Sequence, residues 1–126
     1  MAKNRETRTV QNPALLAVGA RADVMVWRQQ SGLFRQFEAP HSPVRVGVAG
    51  MADSMAVVSV VVTPDMVGKT IGVAVAPEFK TGKGKQSPAQ AAWQAAFEKR
   101  GGVYRLVRSD AEMVALVDDV QHGRCW

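Results

Sequence analysis

Pro77-Glu78-Phe79-Lys80-Thr81-Gly82-Lys83-Gly84-Lys85-Gln86-Ser87-Pro88-Ala89-Gln90 holds the end of one element, a loop and the start of the next. The residues before it, Ile71 to Phe79, are apolar almost throughout and predict a buried strand. Pro77 cannot donate to a ladder, which places that strand at an edge or a bulge. Side chains alternate along a strand, so Glu78 and Lys80 share one face, while Phe79 points to the other and is expected to pack in the core. Ser87-Pro88-Ala89-Gln90 reads as a capping box with proline at the first helical position. The helix it opens is expected to bury Ala89, Trp93, Ala96 and Phe97, and Gly101-Gly102 ends it. Val103 to Val107 then predicts a short strand. Ser109-Asp110-Ala111-Glu112 reads as a second capping box, before a helix with apolar positions Met113, Leu116, Val117 and Val120.

Upstream, Met55 to Val62 is almost entirely valine, methionine and alanine, the pattern of a strand buried on both faces. Thr63-Pro64-Asp65 and Gly68-Lys69-Thr70 bound a connector. Val24 to Trp27 and Leu33 to Phe37 predict two strands of a hairpin turning at Gln30-Ser31-Gly32, followed by a loop at Pro40 and Pro43. Asn12-Pro13 predicts a helix start, with the helix running to about Arg21. Residues 1–11 are expected to form a flexible arm and residues 121–126 a tail around a single domain, 1–126. The fold class expected is α/β: a mixed central β-sheet flanked by α-helices.

The chain has 126 residues, 47% hydrophobic and 21% charged, which excludes disordered, collagen-like and solenoid classes. Its longest strongly apolar run is far below the roughly 20 residues of a membrane span, so no membrane partner is expected. No signal peptide is read at the start, and the single cysteine, Cys125, leaves no intrachain disulfide and no cysteine-based zinc site. A reducing, cytoplasmic setting is expected. Sixteen Lys and Arg oppose eleven Asp and Glu. Four of those acids and only Arg124 of the bases lie in 109–126, so the first 108 residues carry fifteen bases against seven acids. A field of that sign attracts polyanions, nucleic acid above all.

Most familiar catalytic designs are missing. His41 and His122 have no partner at metal-ligand spacing, no Gly-x-Ser-x-Gly elbow occurs, and Thr81 to Lys85 lacks the spacing of a P-loop. What remains is Glu78 and Lys80 at a strand end, and Asp53 after a glycine-rich bend at the edge of the other apolar strand. If those two strands are neighbours, the two carboxylates converge. A divalent cation bound by oxygen ligands, Mg²⁺ or Mn²⁺, would then keep both ionised. The competing reading is a structural salt bridge between Glu78 and Lys80.

Gly50-Met51-Ala52-Asp53, the valine-rich strand, Glu78-Phe79-Lys80, the glycine- and lysine-rich loop, Ser87-Pro88-Ala89-Gln90 and the later Gly101 to Ser109 together resemble the virus-type replication-repair nuclease (VRR-NUC) domain. That domain belongs to the PD-(D/E)xK, restriction-endonuclease-like superfamily. The similarity spans roughly residues 27–120 and implies a restriction-endonuclease-like core. It implies Asp53 and Glu78 as metal-binding carboxylates, the Phe79 carbonyl as a third ligand, Lys80 as the catalytic lysine and Gln90 as the active-site glutamine. The superfamily's N-terminal helix often supplies another glutamate, and here Glu6 precedes Pro13. Ala52 departs from the proline that often precedes the aspartate, outside the ligand set. The implied reaction is metal-assisted phosphodiester hydrolysis, with Lys80 orienting water or neutralising charge on the phosphate.

Lys83 and Lys85 flank this site, and Arg28, Arg35 and Arg45 lie on the hairpin and the loop after it, where they could follow a DNA backbone. The resemblance further implies a homodimer cutting branched DNA, Holliday junctions in particular. The Trp27–Phe37 hairpin, rich in large apolar side chains, is the expected dimer surface. Two other readings stay open: a non-catalytic basic DNA-binding or assembly protein with this fold, and a monomeric flap nuclease.

Overall fold

A computed structural model describes residues 5–29 and 32–126. The chain divides into two compact units, 1–56 and 57–126.

In the first unit, helix α1 (Asn12–Gly19) continues directly from a π-helical turn, Thr7–Gln11. Residues 5–11, expected as a frayed arm, are therefore helical, and residues 1–4 lie outside the described residues. Asn12 does not cap a helix start. Its backbone N–H donates to the Thr7 carbonyl five residues back, and its side chain accepts from Arg28 instead. Pro13 has no N–H to give, and a wider π turn ahead of it is one way a helix absorbs that loss.

Strand β1 (Val24–Arg28) does not form the expected hairpin with β2 (Gly32–Arg35). Instead β2 pairs antiparallel with β3 (Pro43–Val46), Leu33 opposite Arg45 and Arg35 opposite Pro43, while β1 pairs with β4 (Ser54–Val58). Strand β3 takes up residues expected as loop and bend. Gln30 and Ser31 of the expected turn lie outside the described residues.

The second unit is a β-α-β-α array. Strand β5 (Val75–Phe79) and strand β6 (Val103–Val107) are parallel, in register from Val75–Val103 to Phe79–Val107, and helix α2 (Pro88–Lys99) connects them. Helix α3 (Asp110–Gln121) follows. Val103 and Val107 form a buried cluster with Leu116 of α3, joined by Val75, Met113 and Val120. On the α2 side Tyr104 is buried with Phe97, and Trp93 stacks on Phe97 at a centroid distance of 4.8 Å. The two strands thus lie between α2 and α3, each helix covering one pleat face.

Both glycines after α2 are needed. Gly101 has φ +92°, and a Cβ on Gly102 would come within 2.4 Å of the Phe97 ring. Of the apolar positions expected to be buried on α2, Phe97 is buried, Ala96 half-buried, and Ala89 and Trp93 exposed. Val117 of α3 is likewise exposed.

The capping box at Ser87 is complete: Ser87 Oγ accepts from Gln90 N–H at 3.1 Å, and Gln90 Oε1 accepts from Ser87 N–H at 2.9 Å. At Ser109 only half forms. Its Oγ accepts from Glu112 N–H at 3.1 Å, but the Glu112 carboxylate reaches past the cap to the Arg108 N–H at 2.6 Å.

The expected mixed central sheet is replaced by three two-stranded sheets among the described residues. The strand expected over Met55–Val62 stops at Val58, with only Val57 of its residues buried and Val61 86% exposed. The strand expected over Ile71–Phe79 begins at Val75. Apolar runs on both faces state a need for cover, not that the chain supplies it. The architecture is mixed α/β, with small sheets and three α-helices among the described residues.

The expected tail is tied down. Arg124 donates to the Asp119 carbonyl and carboxylate, Cys125 packs on the core cluster, and Arg105 of β6 pairs with the same carboxylate at 2.7 Å. The hydrogen bond from Arg105, then that from Arg124, holds the Asp119 carboxyl below the ordinary carboxylate range. A pKa depressed by folding adds stability above the unfolded value that fades as pH falls through the folded one. The stability lost in Asp119→Asn, measured by urea unfolding, is therefore expected to shrink from pH 7 toward about pH 3. A pH-independent loss would mean that packing, not charge, holds the tail.

No helix among the described residues is long and apolar enough to cross a membrane.

Candidate active site

Glu78 and Lys80 emerge from the last turn of the β5 pleat onto the face that α2 covers. Lys80 Nζ stands 3.3 Å from Glu78 Oε1, and Gln90 Nε2 donates to the same oxygen at 2.6 Å. Both charged side chains are about three-quarters buried. Gln90 therefore acts twice, with its amide oxygen closing the α2 cap and its amide nitrogen gripping the carboxylate. Proline at the first helical position sets the helix start, and the cap sets where Gln90 points, so local sequence rules position the carboxylate.

The parallel register explains two further features. Val103 N–H donates to the Ala74 carbonyl and Lys80 N–H to the Val107 carbonyl, so even-numbered positions of β5 exchange bonds with β6. Pro77 and Phe79 therefore turn their main-chain groups to the opposite, unpaired edge. The donor that Pro77 lacks is one this sheet does not use, as an edge placement requires. The Phe79 carbonyl is left on that open edge, next to the Glu78 side chain in sequence. A carboxylate and a main-chain carbonyl are hard oxygen donors of the kind Mg²⁺ and Mn²⁺ take. These two donors on β5 are of the chemical kind the implied cation takes, and Glu78 Oε1 is already engaged by Lys80 and Gln90.

The Phe79 ring does not behave as expected. It is 66% exposed and lines an open cleft of about 580 Å³ with Val107, Arg108, Met113 and Val114. The alternation is right, but among the described residues no further strand pairs with the open edge of β5.

Asp53 lies in the first unit, where its carbonyl accepts from Gln29 N–H at 2.8 Å at the end of β1. Its side chain is exposed and makes no hydrogen bond or ion pair among the described residues. Among the described residues β4 pairs with β1 and β5 with β6, so the strand pairing assumed for Asp53 and Glu78 is not among those formed there. Among the described residues no three His, Cys, Asp or Glu side chains cluster. Glu6 is exposed on the helical turn before Thr7.

The candidate DNA contacts divide in kind. Arg28 is committed to the Asn12 side chain. Arg35 and Arg45 share one face of the β2–β3 pair, because Leu33 faces Arg45 directly and Arg35 lies two residues along from Leu33. Lys83 and Lys85 are exposed and form no ion pair among the described residues. Arg108, not singled out from the sequence, donates to the Gly82 and Gly84 carbonyls at 2.7 and 2.8 Å. The sequence shows only a base after a short strand, with nothing to point it at the loop. His41 and His122 each place Nδ1 against a main-chain carbonyl, those of Gln36 and Asp118.

Comparison of the chain with protein-family models, curated proteins and solved structures finds no match.

Proposed function

We propose that the chain is a metal-dependent DNA endonuclease that hydrolyses phosphodiester bonds in branched DNA, a Holliday-junction resolvase acting as a homodimer. The observation that carries this reading is the convergence of Lys80 and Gln90 on one carboxylate oxygen of Glu78, next to a lysine-bearing glycine loop. A strand-end salt bridge accounts for the Glu78–Lys80 contact. It gives no reason for a helix cap to spend its second polar group on the same oxygen.

In this reading Glu78 and the Phe79 carbonyl would hold Mg²⁺ or Mn²⁺, with Asp53 as the further carboxylate that the family resemblance implies. The cation supplies charge stabilisation at the phosphate and a nucleophile at neutral pH. Gln90 fixes the carboxylate orientation. Lys80, held at the rim by Glu78, places a positive charge where negative charge grows on the scissile phosphate. Lys83 and Lys85 contact the flanking backbone, and Arg35 and Arg45 present a second basic face for the same polyanion. A resolvase needs two cuts related by two-fold symmetry, and the chain has one Asp-Glu-Lys set, hence the second copy. Leu33, Phe34 and the almost fully exposed Phe37 remain the apolar side chains offered to it, although Trp27 is half-buried on β1.

Labelled linear, flap and four-way-junction DNA, incubated with the protein with and without Mn²⁺, tests the proposal. Symmetric, metal-dependent cuts in the junction are expected. Cutting confined to the flap by a species of one-chain mass would replace the resolvase with a flap nuclease. Binding with no cutting in any metal would leave a non-catalytic DNA-binding protein.

A further inference from the structure

We propose that Arg108 is a positioning residue that sets the shape and charge of the Thr81–Lys85 loop, so that Lys83 and Lys85 meet a phosphate backbone together. This rests on the endonuclease reading for its ligand but not for its geometry.

The loop is glycine-rich and would otherwise be slack. Gly84 N–H donates to the Thr81 carbonyl at 2.8 Å, closing a turn in which Gly82 has φ +45°. The turn folds back on Lys80: a Cβ on Gly84 would stand 3.0 Å from the Thr81 carbonyl oxygen and 3.5 Å from Lys80 Cβ. The turn leaves the Gly82 and Gly84 carbonyls without a bond inside it. Two bare carbonyl oxygens beside a phosphate would repel it. The two terminal guanidinium nitrogens of Arg108 take one each, at 2.7 and 2.8 Å.

Lys83 lies between the two clamped carbonyls and Lys85 follows the second. Both side chains are left outside the clamp, exposed and without an ion pair among the described residues. The arginine is itself anchored, since its N–H donates to Glu112 Oε2 at 2.6 Å where β6 gives way to α3. A planar fork spans two acceptors at once, and a lysine at this position would satisfy only one place at a time.

The experiment has two arms, each run on wild type, Arg108→Ala and Arg108→Lys after far-UV circular dichroism has established equal folding. In the first, brief trypsin digestion without DNA is followed by mass spectrometry at the Lys83–Gly84 and Lys85–Gln86 bonds. Both variants are expected to be cut there about tenfold faster than wild type, because the loop opens without its two charged hydrogen bonds. Gly84→Ala, which crowds the turn from the other side, is expected to do the same. Unchanged cutting in both Arg108 variants would overturn the proposal.

In the second arm, binding of a labelled DNA four-way junction in EDTA is measured across a salt series. Arg108→Ala is expected to lower the slope of log affinity against log salt by about 2, as the double variant Lys83→Ala/Lys85→Ala does, and to add nothing on top of that double variant. Arg108→Lys is expected to behave as Arg108→Ala. A further fall on the double-variant background, or rescue by Arg108→Lys, would make Arg108 a direct phosphate contact and overturn the positioning role. If wild type binds no DNA, the endonuclease reading fails, and the trypsin arm still decides the clamp.

Discussion

Lys80→Ala is expected to slow cleavage of four-way-junction DNA by about two to four orders of magnitude, ~3–5 kcal/mol of transition-state stabilisation. Lys80 is part-buried, its ammonium 3.3 Å from Glu78 Oε1. A charge so placed needs no reorganisation as the phosphate passes to its more negative transition state. It loses part of its water shell on folding, so its field acts through less screening than that of a surface lysine. The loss is expected in kcat, with junction affinity changed by no more than one phosphate contact. Stability should fall as well, by about 1–3 kcal/mol, because the Glu78 carboxylate stays largely buried with only Gln90 left to satisfy it. The rate therefore separates the readings. A rate loss under about fivefold, with stability lowered, would leave Lys80 as the partner of a strand-end salt bridge.

How much of this site could be read from the sequence depends on how local its determinants are. The Ser87–Gln90 cap, the helix it opens, the Gly101-Gly102 stop and strand β6 all rest on signals within a few residues, and all appear where expected. Glu78 and Lys80 share a face because alternation requires it, and Gln90 reaches Glu78 because the cap holds its amide in place. Arg108 was invisible for the opposite reason. Its partners are main-chain carbonyls 26 and 24 residues away, and no residue type advertises a free carbonyl.

The strand misreadings share one physical source. Periodicity reports which side chains avoid water but not which strand or layer covers them. Val24–Trp27 and Leu33–Phe37 looked like two strands of one hairpin, yet β1 chose β4 and β2 chose β3, since pairing is decided by long-range contacts. The Met55–Val62 run looked like a doubly buried strand, and Val60 to Val62 are exposed. The second capping box failed more narrowly. Glu112 had the correct spacing, but the Arg108 N–H offered its carboxylate a different donor one residue upstream of the cap.

Asp53→Asn is expected to remove detectable cleavage while leaving junction binding intact or slightly tighter. The substitution keeps the size of the side chain and takes away one negative charge, so attraction to phosphate cannot weaken on electrostatic grounds. In the endonuclease reading it removes a hard anionic ligand, and a carboxamide oxygen is a much poorer partner for Mg²⁺ or Mn²⁺. Asp53 is also a residue whose loss should cost the fold little. Its carboxylate is exposed and makes no hydrogen bond or ion pair among the described residues, while its structural bond, to Gln29 N–H, runs through the main chain and survives the change. A large effect on rate without one on stability would therefore point to chemistry rather than folding. Because Asp53 and Glu78 belong to different units, the result also tests whether both serve one centre. Calorimetric titration with Mn²⁺ supplies the second measurement: wild type is expected to bind, and Asp53→Asn and Glu78→Gln each to bind at least tenfold more weakly. Wild-type cleavage rates in Asp53→Asn, or weakened Mn²⁺ binding in Glu78→Gln alone, would confine the metal site to the β5 edge and take Asp53 out of it.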